Sequence, residues 1–167
     1  MSVESAAAHH EAGHAIAALV QGGRVTRAVC VADESVVRTR FRVGRTPQQE
    51  AEMLWQQAIT DLAGPLAEMR RLRAVAWASD EQNAVRRVRD IVTLKNGLDE
   101  DAPLTPALRA EVDRLLDEAH IRARQLVRQH WSEIERVAAV LAHGEPLTGE
   151  DIDALLLGER GWARRKL

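Results

Sequence analysis

Residues 3–23, VESAAAHHEAGHAIAALVQGG, decide how this chain is read. Within them His10-Glu11-Ala12-Gly13-His14 sets two imidazoles four residues apart, and side chains at that spacing on a helix stand one above the other. Both rings can then grip one Zn²⁺ from the same side, while Glu11, one step round, can act as general base to a water that the metal activates. The surroundings favour a helix. Ser5, Ala6, Ala7, Ala8, Ala12, Ala15, Ala17 and Ala18 are small or helix-compatible, and no proline intervenes before Gly22-Gly23. A helix from about Val3 to Gln21 is expected. Small side chains at Gly13, Ala17 and Ala18 would let a neighbouring element come close. Two histidines leave a tetrahedral zinc short of ligands, so a third must arrive from elsewhere, with water in the open position.

A chain of 167 residues with 46% apolar content can build one domain with a sizeable core, but two full domains are not expected. The formal net charge of −2 gives no general drive toward nucleic acid or a membrane surface, so neither is expected as a partner. The basic runs Arg70-Arg71-Leu72-Arg73 and Arg86-Arg87-Val88-Arg89 read as solvated helix faces. Cys30 is the single cysteine, which excludes an internal disulfide and suits a reducing cytosol; in a strand it reads as a small buried apolar residue. The apolar stretch Ala15 to Val20 is too short to span a bilayer, and no leader-like segment opens the sequence. A cytoplasmic protein without membrane insertion is expected.

Beyond the first helix, Arg24–Ala32 and Val36–Val43 are rich in β-branched residues and read as a hairpin turning at Asp33-Glu34-Ser35. Thr46-Pro47-Gln48-Gln49 is a helix start, with a capping hydroxyl, a first-turn proline and a glutamine at the third helical position. The helix it opens carries Met53, Leu54, Ala58, Leu62 and Leu66 on one face to about Arg73, with a kink expected at Pro65. Ser79 with Gln82 reads as the capped start of a helix whose Ala84, Val88 and Ile91 repeat until Lys95-Asn96-Gly97. After the acidic linker Leu98–Pro103, Thr105-Pro106 opens a long amphipathic helix with the stripe Leu108, Val112, Leu115, Ala119, Ala123 and Leu126. That stripe can pack on the core or on a second subunit. Ser132 and Glu135 match a capping box, which places a break near His130-Trp131. Helices over Ile134–Ala142, closed by Gly144, and over Gly149–Leu157 complete the chain. The expected class is mainly α with one small β-hairpin, organised as a zinc-binding catalytic core (1–100) and a C-terminal helical part of the same domain (104–167).

Candidates for the third ligand are Asp61, Glu68, Asp80, Glu81, His120, His130 and His143. Asp80 stands out because it precedes Ala84, Val88 and Ile91 at helical spacing, so its carboxylate starts the buried face. Glu68 is the runner-up. Its expected role is to hydrogen-bond a ligating imidazole so that the ring presents the right nitrogen to the metal.

With these residues in hand, the chain resembles the zinc peptidase domain of FtsH-type AAA+ proteases over nearly all its length. His10-Glu11-Ala12-Gly13-His14-Ala15 matches the family's zinc helix, and Ala63-Gly64-Pro65-Leu66-Ala67-Glu68 resembles its glycine-rich segment followed by alanines and glutamate. Ala78-Ser79-Asp80, leading into Ala84, Arg89, Val92 and Thr93, is similar to the segment that supplies the family's ligating aspartate, which puts that role on Asp80. Val112–Ala119, Arg122-Ala123, Trp131–Leu141 and Leu147–Ile152 resemble its closing helices. The proline at position 65 and one missing residue beside Asp80 depart from the pattern, and the segment after the first helix is short. No phosphate loop ending in Gly-Lys-Ser or Gly-Lys-Thr and no transmembrane anchor occurs in the sequence.

The resemblance implies a stand-alone, ATP-independent zinc endopeptidase: His10, His14 and Asp80 hold Zn²⁺, and Glu11 takes the proton of the attacking water. Substrates would be unfolded or flexible polypeptides, and one could lie extended along an edge of the hairpin. A homo-oligomer or a separate ATPase that feeds the enzyme remains open. Two other readings are a catalytically silent peptidase-like binding or regulatory module, which intact Glu11 argues against, and a cytosolic peptidase of another lineage that cleaves a dedicated regulator. A histidine or glutamate in place of Asp80 at the metal would favour the last.

Overall fold

The computed structural model describes residues 3–31, 34–72 and 78–156, with side chains described from Ala6 onward except those of Glu34 and Ala78. Six helices and one antiparallel hairpin follow in the order α1 (Val3–Val20), β1 (Arg24–Val31), β2 (Glu34–Arg40), α2 (Pro47–Leu72), α3 (Ala78–Lys95), α4 (Pro106–Gln129), α5 (Trp131–Leu141) and α6 (Gly149–Leu156). No helix among the described residues is long and apolar enough to cross a membrane.

α1 is the central element, and its alanines explain why. Ala6, Ala8, Ala12, Ala15, Ala17 and Ala18 are buried together with Ile16 and Leu19. A helix so thin can be packed on several sides at once. It contacts α2, both strands, α4 and α5. It ends as its glycines predict: Gly22 takes φ 80°, its N–H bonds the Leu19 carbonyl, and the Gly23 N–H reaches back to the Ala18 carbonyl. That left-handed residue costs glycine little and turns the chain directly into β1.

α2 lies antiparallel along α1, since His10 meets Glu68 whereas Gln21 meets Gln56 and Thr60. It starts as expected, the Thr46 hydroxyl accepting from the Gln49 N–H while Gln49 accepts from the Arg45 N–H. It runs through Pro65, which is fully buried, as one helix. Its expected end at Arg73 lies outside the described residues. α3 packs on α2, and α4 covers both. The α4 stripe Val112, Leu115, Ala119, Ala123 and Leu126 faces inward, and one continuous core joins residues of the expected catalytic and C-terminal parts.

Four local expectations give way to tertiary contacts. The hairpin turn is tighter than Asp33-Glu34-Ser35 suggests, because Glu34 pairs with Val31 and Ser35 with Cys30, so both belong to β2. At its other end β2 stops at Arg40, where Phe41 turns in against Gly23. Ser132 caps nothing: its hydroxyl donates to Glu133. His130 is the junction instead, its N–H closing α4 on Leu126 and its carbonyl accepting the first bond of α5 from Ile134. Ser79 lies inside the first turn of α3, which begins at Ala78.

The basic runs are not simply solvated either. Arg87 pairs with Asp61 at 2.5 Å and donates to Gln57, fixing α3 to α2, while the Arg70 guanidinium lies 4.5 Å above the Trp131 ring. Cys30 is buried, and the end expected at Leu157 lies outside the described residues.

Candidate metal centre

Helix spacing alone brings His10 and His14 onto one face of α1, and their Nε2 atoms stand 3.0 Å apart. Asp80, in the first turn of α3, closes the third side. Its Oδ2 is 3.1 Å from His10 Nε2 and 3.9 Å from His14 Nε2. The three groups can each offer one atom within 4.8 Å of the others. They open on a cleft of about 410 Å³ that Glu11, Ser35, Val36, Val37, Glu68 and Ser79 also line.

The far side of each ring fixes what the near side presents. His10 Nδ1 donates to Glu68 Oε2 at 2.9 Å, and His14 Nδ1 donates to the Thr60 carbonyl at 2.8 Å. Both partners are acceptors only, so in each neutral ring the proton sits on Nδ1 and the Nε2 lone pair points into the cluster. Two lone pairs and a carboxylate then converge with no proton among them. Such a set repels itself unless a cation sits between its members, and two imidazoles with one carboxylate are the donors that Zn²⁺ takes. In the metal-free protein a proton partly fills that need. Burial alone would depress the His10 imidazole, yet hydrogen bonds to Asp80 and Glu68 and the Glu11 charge together hold it above its ordinary value. Burial would likewise raise the Asp80 carboxyl, but the His10 hydrogen bond and the charges of His14 and His10 hold it below.

Two glycines make this geometry fit. A Cβ on Gly13 would stand 2.7 Å from the Ala63 carbonyl and 2.8 Å from the Ala67 Cβ. A Cβ on Gly64 would stand 2.3 Å from His14 Nε2. α1 and α2 therefore approach backbone to backbone, and the His14 ring lies against the bare Cα of Gly64. The element that the small face of α1 admits is α2, whereas the carboxylate comes from α3.

Glu11 is 6% exposed, and its Oε1 accepts a 2.8 Å hydrogen bond from the Ser35 hydroxyl. Sequence reasoning missed Ser35 by assigning it to the turn. It also missed the Thr60 carbonyl, for which no residue-type signal exists. Of the other ligand candidates, Asp61 is taken by Arg87, Glu81 lies 3.7 Å from His120, and His130 sits 3.3 Å from the fully buried Glu133. His143 is exposed. None belongs to the cluster.

No family model matches the chain. It is similar to the ATP-dependent zinc metalloprotease FtsH of Caldicellulosiruptor bescii, 26% identical over 89% of this chain and 29% of that protein. Similarity to the ATP-dependent zinc metalloprotease FtsH of Kosmotoga olearia is also 26%, over 86% of this chain and 20% of that protein. The ATP-dependent zinc metalloprotease YME1 homolog of Schizosaccharomyces pombe is 32% identical over 46% of this chain and 11% of its own length. The chain thus spans less than a third of the length of the curated relatives it matches, while most of it is weakly similar to zinc metalloproteases of the FtsH and YME1 kind.

Proposed function

We infer that the chain is a zinc-dependent endopeptidase acting on unfolded or flexible polypeptide, with His10, His14 and Asp80 as metal ligands and Glu11 as general base. The observation that carries this reading is the convergence of two Nε2 lone pairs and one carboxylate oxygen beside a buried glutamate. When bound, Zn²⁺ supplies Lewis acidity that makes water acidic near neutral pH and polarises a scissile carbonyl. Glu11 follows His10 and lines the same cleft, so its carboxylate is placed to take the proton of the attacking water and return it to the leaving amine. Ser35 holds one carboxylate oxygen, which leaves the other for that traffic. Glu68 and Thr60 keep the two imidazoles in the ligating tautomer.

The hairpin supplies a rest for substrate. Ala28 gives both of its outward backbone groups to Leu147, so the far edge of β1 is occupied there. Val37, opposite Ala28, consequently turns its N–H and C=O away from β1, and by the strand period Ser35 and Thr39 do the same. Among the described residues nothing pairs with that outer edge of β2. A substrate added there as an extra strand would pass the cleft that Ser35 and Val37 line. Unfolding driven by ATP has to come from outside this sequence, which contains no phosphate loop.

The test is Glu11→Gln with zinc content measured alongside cleavage of an unfolded substrate. The expected result is full zinc occupancy with a rate loss of about 10²- to 10⁴-fold. Full activity in that zinc-loaded variant, or a wild-type protein that holds peptide without cutting it, overturns the reading.

A further inference from the structure

Arginines crowd the hairpin. Arg24, Arg27, Arg38, Arg40, Arg42 and Arg45 are all exposed, and the only acids in the sequence between positions 24 and 46 are Asp33 and Glu34. A chain of net charge −2 has thus concentrated positive charge on one element.

The register sharpens the point. Arg24 stands opposite Arg40 and Arg27 opposite Arg38, with a bulge between Val25 and Arg27. Without the bulge, Arg24 and Arg27 would fall on opposite faces of the strand. The extra residue brings all four onto one face, two like-charged cross-strand pairs side by side. Like charges directly opposite destabilise a hairpin. Among the described residues no ion pair relieves Arg24, Arg38, Arg40 or Arg42. The facing pair Arg24 and Arg40 works against its own strand pairing and, with Arg38 and Arg42 beside it, calls for an anionic partner.

We propose that this arginine face selects polypeptide substrates carrying acidic residues to one side of the scissile bond. The inference rests on the peptidase reading and deepens it. Along β2, Arg38 and Arg40 lie about 10 and 17 Å from Ser35, at roughly 3.3 Å per residue. Alternate side chains of a strand added to β2 project to the arginine face. Acids about three and five residues from the bond at the cleft would meet Arg38 and Arg40. A nucleic acid fits less well. Phe41, the only aromatic residue between positions 24 and 46, is turned in against Gly23 and offers no ring for bases to stack on.

The test uses the full chain as Glu11→Gln, to prevent turnover, with labelled unstructured dodecapeptides that carry glutamate or lysine at two alternate positions. A single-stranded oligonucleotide of equal length is the third probe. Fluorescence anisotropy should give an acidic-peptide Kd lower than the lysine-peptide Kd by about tenfold at about 50 mM salt, narrowing at about 500 mM. Adding R38E and R40E should invert the preference. Those glutamates would face Arg27 and Arg24, so the thermal midpoint should rise or hold, which separates lost recognition from lost folding. Equal affinity for the two peptides, a preference that survives the double reversal, or tighter binding of the oligonucleotide overturns the proposal. Cleavage by the wild-type chain is read separately: an acidic preference without cleavage sinks the peptidase reading and leaves the charge selection standing.

Discussion

Replacing Gly64 by alanine tests the metal centre through one methyl group. The new Cβ would lie 2.3 Å from His14 Nε2 and 2.5 Å from its Cε1, whereas ordinary contact begins near 3.4 Å. Ring and helix must separate by about 1 Å to make room, which displaces a proposed metal ligand. The ring cannot recede freely, because its Nδ1 is tied to the Thr60 carbonyl on the same helix. Alanine favours a helix interior over glycine by up to about 1 kcal/mol, against an overpacking cost of about 1–3 kcal/mol. The metal-free variant should therefore be modestly less stable and still folded. Competition against a chromogenic chelator should show zinc affinity lower by about 10- to 100-fold, with helical circular dichroism retained. A folded G64A protein that binds zinc within about twofold of the wild type would refute the close approach of His14 to this glycine.

Three further outcomes follow from the same geometry. Asp80→Ala should weaken zinc retention far more than Glu68→Ala, which removes only the partner of His10 Nδ1 and should cost about 10- to 100-fold; metal titration of both variants checks the order. Ser35→Ala should lower kcat by about tenfold with zinc affinity unchanged, since it frees Glu11, the proposed general base, without touching a proposed ligand; a loss of zinc instead would contradict that role. His120 gives a pH signature away from the metal. Burial depresses its imidazole pKa despite the opposing charge of Glu81, so between the folded value and about 6.5 the unfolded chain binds the extra proton. Its contribution to stability is complete above about pH 6.5 and is lost as pH falls through the folded value. Urea unfolding should show His120→Asn with a smaller loss of stability on acidification than the wild type.

What the sequence revealed, and what it hid, divides along the range of the forces involved. The alanine-rich α1, the Thr46 and Thr105 starts and the stripe of α4 rest on neighbours three or four residues away, and such spacing is readable in one dimension. Spacing likewise set His10 and His14 side by side and started the buried face of α3 at Asp80. Ser35 was hidden because its composition suits a turn, whereas pairing with Cys30 and the pull of Glu11 hold it in a strand. Arg87 and Arg70 read as surface charge because Asp61 and Trp131, which occupy them, are far off in sequence. The arginine face needed the bulge near Thr26 to be known, since without it the same residues would point both ways.

The bridge between Ala28 and Leu147 ties the hairpin to a residue far along the sequence. Leu147 belongs to the stretch between the last two helices, yet it braces the strand that shapes one wall of the cleft. His10 and His14 lie far from Leu147 in sequence, so the brace is a long-range contact. Contacts between such distant positions close late, once the entropy of a long loop has been overcome. A chain cut off after α4 should therefore retain His10, His14 and Asp80 while lacking the brace for the hairpin beside them.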